Sequence, residues 1–117
     1  MKIYIDYDFI NWNEYIDIER GNKFKANKIK QQEKDIVRFY SINKKYTGKY
    51  PVEIIINKHF KNKRQDLDNV RIKGILDGLV TCGVIENDNL TKIQKITYIP
   101  VFDDKDGIEI EIKELGE

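Results

Sequence analysis

The sequence is poor in the residues that most directly identify common classes of protein. Cys82 is its only cysteine and His59 its only histidine, which excludes an internal disulfide, multi-cysteine metal motifs, histidine-based triads and multi-histidine zinc sites. No stretch approaches the ~20 apolar residues of a membrane span, and the first residues lack the apolar core of a signal peptide. We therefore expect a cytoplasmic protein with no membrane partner. His59, which neighbours lysines, is expected to be solvated or to face a phosphate.

The charge of the chain is balanced. Its 21 basic and 20 acidic residues give a net charge of +1, so the overall cationic field typical of many nucleic-acid-binding proteins is missing. Any affinity for DNA must therefore come from local patterns of charge. A chain of 117 residues is long enough for one modest hydrophobic core, which predicts a single domain over residues 1–117.

Short patterns of apolar residues predict a small α+β fold. Alternating and β-branched runs predict four strands, at residues 1–9, 51–60, 92–101 and 107–113. Helical spacing predicts one helix from about residue 26 to 43, and a second that carries Ile72, Ile75, Leu76 and Leu79. The predicted order is β-α-β-α-β-β, a small mixed sheet with two helices packed on it.

Three details of this fold are also predicted. Residues 51–60 are apolar on both faces, as in a central strand. The pair Asp106-Gly107 lies between two alternating runs and predicts a hairpin that joins them. Residues 11–22 show no sustained period and are predicted to be irregular.

Three aspartates flank the second predicted helix: Asp66 and Asp68 just before it, and Asp88 after it. One aspartate before a helix would be an ordinary cap, but two within one turn repel each other unless a cation lies between them. Val70 and Arg71 occupy positions at which an EF-hand needs a ligand and a glycine, which excludes a calcium loop. Carboxylate ligands suit Mg²⁺, with Mn²⁺ as a substitute.

The return of the chain after this helix is expected to bring Asp88 beside the sheet end at which Asp66 lies. As a single acid in a run of Glu and Asn, it could equally be a turn residue. Basic residues approach the acids from the preceding strand: Lys58, Lys61, Lys63 and Arg64. A second basic run lies at the first helix: Lys23, Lys25, Lys28 and Lys30. Such runs are usually solvated faces, but beside a phosphate-cutting centre they would hold DNA against the acids.

The order of these residues resembles the RusA family of Holliday-junction resolvases, which is found in phages and prophages. The resemblance is strongest over residues 58–90, and its motifs are Asp66-x-Asp68-Asn69, Lys73-x-x-Leu76-Asp77-x-Leu79, Gly83-Val84-Ile85 and Asn87-Asp88. It implies a small α+β fold, a homodimer, and magnesium-dependent nicking of branched DNA by carboxylates with an assisting lysine.

The spacing departs from the family pattern at one point. Ile72 occupies the position at which the family has its lysine, and Lys73 comes one residue later. A single insertion between Asn69 and Lys73 accounts for this shift and for the longer distance from Asp68 to Asp88. Helical geometry alone would point Arg71 at the acids, but the long stem of lysine can reach across, so Lys73 is favoured over Arg71 for the basic catalytic role.

These observations lead to a defined set of predictions. The catalytic residues are Asp66, Asp68, Lys73 and Asp88, of which the three aspartates bind the metal. The residues predicted to bind DNA are Lys58, Lys61, Lys63, Arg64 and Arg71. The predicted function is metal-dependent resolution of four-way DNA junctions by paired nicks, and the partners are branched DNA and a second copy of the chain. The alternative is a non-catalytic nucleic-acid-binding accessory protein of a phage or prophage, which would bind a junction without cutting it.

Overall fold

A computed structural model of the chain describes residues 1–60 and 70–115. These residues form four strands, β1 (Lys2–Ile5), β2 (Val52–Phe60), β3 (Ile93–Phe102) and β4 (Gly107–Glu114). They also form three helices, α1 (Trp12–Gly21), α2 (Lys23–Tyr40) and α3 (Ile72–Thr81). The predicted α+β class, all four strands and both predicted helices are confirmed, and one helix is added. No described helix has both the length and the apolarity that crossing a bilayer requires.

Helix α1 corrects the prediction that residues 11–22 are irregular. Asn11 caps its start by accepting a hydrogen bond from the backbone N–H of Glu14 at 2.9 Å. Asn22 ends α1 by donating its backbone N–H to Ile18, and its side chain accepts from the N–H of Lys25 to begin α2. The helically spaced apolar residues Trp12, Tyr15 and Ile16 cover only one turn of α1, and only Tyr15 is buried, so the pattern is too short to appear as a sustained period. The two asparagine caps were the available signal.

The sheet has the strand order β1-β4-β2-β3, in which β2 pairs in parallel with β3 and antiparallel with β4. Strand β2 is therefore central, as predicted. The predicted hairpin between β3 and β4 is wrong, because these strands lie on opposite sides of β2. The connection crosses the end of β2, where the N–H of Asp103 donates to the carbonyl of Phe60, and β4 begins at Gly107 with a φ of 114°. Four residues can span the two strand spacings, roughly 10 Å, that this crossing requires.

One face of the sheet is covered by helices, and the core lies between them. Alternate isoleucines of the strands point toward α2 and α3: Ile3, Ile5, Ile54, Ile56, Ile108, Ile110 and Ile112. Val37 of α2 and Leu79 of α3 pack onto them. The two helices approach closely at Gly78, where an added Cβ would lie 2.7 Å from Cγ2 of Val37. Most of β3, at the edge of the sheet, remains exposed.

Candidate active site

Strand β2 carries Lys58 at the end from which the chain continues toward the predicted acids. The Lys58 side chain is buried, with only 4% of the residue exposed. Its ammonium donates to Oδ1 of Asp8 at 3.1 Å and to the carbonyl of His59 at 3.2 Å. The structure thus places Lys58 inside the protein, bound to Asp8, rather than on a surface that DNA could reach directly. A contact between Lys58 and DNA stays a prediction and would require this ion pair to open.

The next residue, His59, binds the connection that crosses the end of β2. Its Nδ1 lies 2.8 Å from Oδ2 of Asp103, and the edge of its ring meets the ring of Tyr4. Desolvation alone would raise the pKa of Asp103, but hydrogen bonds from the backbone N–H of Lys105 and from His59 hold that pKa below its ordinary value. His59 is buried, so the expectation of a solvated histidine is wrong. Its contacts show it holding the end of the sheet together.

Arg71, predicted to contact DNA, is also buried. Its guanidinium pairs with Glu33 of α2, and both residues are at most 3% exposed. The guanidinium carbon lies 4.3 Å from the ring centroid of Tyr15 and 5.8 Å from that of Trp12. Burial lowers the pKa of Arg71. In this arrangement Arg71 joins α1, α2 and α3, and its guanidinium is not presented to solvent.

Glu33 is a residue whose importance the sequence reasoning missed. It follows Ile29 by four residues and precedes Val37 by four, so it occupies the apolar stripe of α2. An acid at such a position must find a buried partner, and this signal was present in the sequence. Space for the pair is provided by Gly74, because a Cβ there would lie 2.8 Å from Oε1 of Glu33.

Lys73 lies on the solvent side of α3, with 65% of its side chain exposed. Its Nζ is 3.8 Å from Oδ2 of Asp77, four residues later. This is the surface ion pair that the helical spacing suggested, and such a pair is weak and easily rearranged. Of the two residues considered for the basic catalytic role, Lys73 is the one whose charge is accessible.

Asp88 lies in the exposed loop between α3 and β3, where the side chain of Asn87 accepts the N–H of Asn89. This loop meets the start of β2: the N–H of Glu86 donates to the hydroxyl of Tyr50, and the N–H of Val52 donates to Lys92. Asp88 therefore returns to the end of the sheet opposite Phe60, because α3 leads away from the end at which β2 finishes. The nine residues of β2 separate the two ends by about 26 Å.

The remaining site residues, Asp66, Asp68, Lys61, Lys63 and Arg64, lie outside the described residues, so their roles stay predictions. Within residues 1–60 and 70–115, no group of three His, Cys, Asp or Glu side chains is placed to hold a metal ion. The predicted metal ligands are all aspartates, a donor set that fits Mg²⁺ or Mn²⁺.

The chain was compared with curated proteins and with models of protein families. No curated protein matches it. A family model described as Endodeoxyribonuclease RusA matches residues 2–113, which include all the motif residues and every described strand and helix except Glu114, the last residue of β4. The family consists of endodeoxyribonucleases that act as Holliday-junction resolvases. Because the match spans nearly the whole length, the chain belongs to the RusA endodeoxyribonuclease family.

Proposed function

We propose that this protein is a divalent-metal-dependent endonuclease of a phage or prophage. It resolves four-way DNA junctions by paired nicks during recombination and repair, and it acts in the cytoplasm. The observation that carries this proposal is the family match over residues 2–113. The exposed positions of Lys73 and Asp88 support it, because both side chains are accessible to a DNA phosphate or a hydrated cation.

In the proposed site, Asp66, Asp68 and Asp88 hold Mg²⁺, for which Mn²⁺ can substitute. When bound, the metal supplies polarisation of the scissile phosphate and a more acidic water. Lys73 places its ammonium against the charge that develops on the phosphate or on the leaving oxygen, an interaction that strengthens toward the transition state. Its distance from Asp77 is long enough for the ammonium to exchange that partner for a phosphate.

Basic residues hold the DNA against this acidic centre. Lys61, Lys63 and Arg64 are proposed to contact phosphates, which would make binding fall steeply with salt. Lys58 and Arg71 are proposed to affect DNA binding indirectly, because their ion pairs with Asp8 and Glu33 fix the end of β2 and the start of α3. Their contribution to DNA binding is therefore one of positioning.

A homodimer is proposed because two symmetric nicks call for two copies of the site. The position of Asp88 supports this. Val70, which follows Asp68 by two residues in the sequence, lines a small cavity together with Lys58 near the end of β2. Asp88 lies at the other end of β2. We therefore propose that Asp88 of one protomer completes the metal site with Asp66 and Asp68 of its partner.

The test is cleavage of a synthetic four-way junction with and without Mg²⁺, compared with linear duplex of the same sequence. Symmetric nicks in the junction that require the metal are expected, and the duplex should remain intact. Binding of the junction without any cleavage in Mg²⁺ or Mn²⁺ would overturn the proposal in favour of a non-catalytic accessory protein.

A further inference from the structure

A cavity of about 190 Å³ lies between α1, α2 and α3 and opens beside Lys73. We call it the α1–α3 cavity; the residues that matter here are Trp12, Tyr15, Lys30, Arg71, Lys73 and Asp77. It differs from a site for a drug-sized ligand, because such sites usually measure roughly 300–1,000 Å³. Its size suits a single planar ring system, inserted from a larger molecule that stays outside.

The floor of the cavity is aromatic and polar. Trp12 and Tyr15 meet edge to face, with ring centroids 6.3 Å apart, and Arg71 lies against both rings. Nε of Arg71 and Oε2 of its partner Glu33 are buried and have no hydrogen-bond partner within the described part of the chain, and the buried hydroxyl of Tyr15 has only the nearby ammonium of Lys30 to interact with. Buried polar atoms normally have a partner. Because Tyr15 and Arg71 both line the cavity, their buried polar atoms leave hydrogen-bonding capacity there for an additional polar group.

The positive and negative charges around the cavity balance each other, which disfavours a charged ligand. Glu33 neutralises Arg71 from behind, and Asp77 faces Lys73 at 3.8 Å. Lys30 and Glu19 then leave one charge of each sign at the rim. A free phosphate or carboxylate would gain little from such a site. A neutral aromatic ring that carries both donors and acceptors would gain stacking as well as hydrogen bonds.

We propose that the α1–α3 cavity binds one unpaired nucleobase of the DNA, stacked against Trp12. The inference rests on the proposed function in one respect, the role of Lys73 at the scissile phosphate. Since Lys73 lies on the rim of the cavity, the bound base belongs to a nucleotide next to that phosphate. A branched junction supplies such a base at low cost, because pairing and stacking are already disturbed at the branch. The cavity would thus give the enzyme a preference for the base beside its cleavage site.

Trp12 is the only tryptophan of the chain, so its fluorescence reports directly on the cavity. The wild-type protein is titrated without metal with a four-way junction, with the same junction carrying abasic nucleotides around the branch, and with a free deoxynucleotide. The intact junction should quench Trp12, and the abasic junction should bind at least about fivefold more weakly without quenching. Equal quenching by the abasic junction would overturn the proposal. Equally tight quenching by the free nucleotide would replace it with a mononucleotide site.

Variants test the consequence for cleavage. Rates are compared across junctions that differ only in the base beside the cut. Trp12→Ala should bring these rates close together, whereas Trp12→Phe, which still offers a ring, should keep most of the difference. Phe39→Ala is the matched control, because this aromatic ring is 65% exposed and lies outside the cavity. An unchanged preference in Trp12→Ala would overturn the proposal.

The proposal of a base-binding cavity and the proposal of nuclease activity can be refuted independently of each other. Cleavage without base-dependent quenching would refute the α1–α3 cavity as a base site and leave the nuclease assignment standing. Base-dependent quenching without cleavage would support the cavity and refute the catalytic proposal. The fluorescence measurement uses the wild-type chain, so it remains decisive even when Trp12→Ala does not fold.

Discussion

The ion pair between Arg71 and Glu33 lies directly against the backbone of Gly74, where no side chain intervenes. A Cβ at Gly74 would lie 2.8 Å from Oε1 of Glu33 and 3.0 Å from the guanidinium nitrogens of Arg71. The glycine is therefore a requirement of the ion pair. It allows a charged pair to occupy the boundary between α2 and α3, at the start of the helix that follows the predicted acids.

Gly74→Ala is expected to destabilise the protein by about 1–3 kcal/mol, the usual cost of overpacking a close contact. The measurement is urea unfolding followed by circular dichroism. Gly21→Ala is the control, because a Cβ at Gly21, the last residue of α1, meets nothing within 4 Å. That change should be neutral or slightly stabilising. Equal losses in the two variants would contradict the proposed role of Gly74.

Glu33→Gln is expected to cost about 3–5 kcal/mol, because it leaves the Arg71 charge buried without a counter-charge. The double variant Glu33→Leu with Arg71→Met removes both charges. It should be destabilised far less than the sum of the losses in the single variants Glu33→Leu and Arg71→Met. The double-mutant cycle, measured by urea unfolding, gives the coupling between the two residues. Additive losses would show that the pair is not a unit.

Lys73→Ala and Arg71→Ala are expected to separate catalysis from stability. Lys73 is largely exposed, so its removal should lower cleavage strongly while junction binding and the melting temperature stay close to wild type. Arg71→Ala should lower the melting temperature first, and any loss of activity should follow unfolding. Cleavage rates and melting curves are measured on the same preparations. Wild-type cleavage by Lys73→Ala, with loss confined to Arg71→Ala, would show that the basic catalytic role was assigned to the wrong residue.

Asp68→Asn and Asp88→Asn should each abolish cleavage and retain or strengthen junction binding, because a negative charge near the phosphates is lost. Mixing the two inactive proteins should restore nicking if the site combines acids from two protomers. In a one-to-one mixture half of the dimers are mixed, and each has one intact site out of two, so about a quarter of the sites recover. Mixing Asp66→Asn with Asp68→Asn is the control and should restore nothing. Failure of the first mixture to nick would place all three acids in one chain.

Stability should fall at acid pH partly through Glu53 on the open face of the sheet. The hydroxyl of Thr97 donates to Oε2 of Glu53 at 2.6 Å and, with Lys95, holds the pKa of that carboxyl below its ordinary value of 4.5. A lowered folded-state pKa means that this contribution is complete above pH 4.5 and is lost as the pH falls through the folded-state value. Melting temperature against pH should therefore decline less steeply in Glu53→Gln than in wild type. Parallel curves would contradict this assignment.

The sequence predicted which segments form strands and helices better than it predicted which of these segments lie side by side. Periods of two and of 3.6 residues revealed the strands and both apolar helices, because burial of one face imposes those periods. Strand pairing was predicted wrongly for β3 and β4, since Asp106-Gly107 marks a reversal of the chain but does not specify which edge of β2 each strand will occupy. Burial of Lys58 and Arg71 was missed for a related reason. Both were expected to be exposed, because the acids that pair with them, Asp8 and Glu33, are far away in the sequence.

The crossing of the chain over the end of β2 has a consequence for how the protein is made. In the described sheet, no two strands form a hairpin: β2 pairs with β3 across α3, and β1 pairs with β4 at Ile3 and Ile110. During synthesis on the ribosome, both edges of β2 remain unpaired until the residues of β3 and β4, which begin at Ile93, have emerged. Contacts this distant in sequence slow folding and leave strand edges open to other chains. We expect co-translational folding of the sheet to begin only when the last fifth of the chain is available.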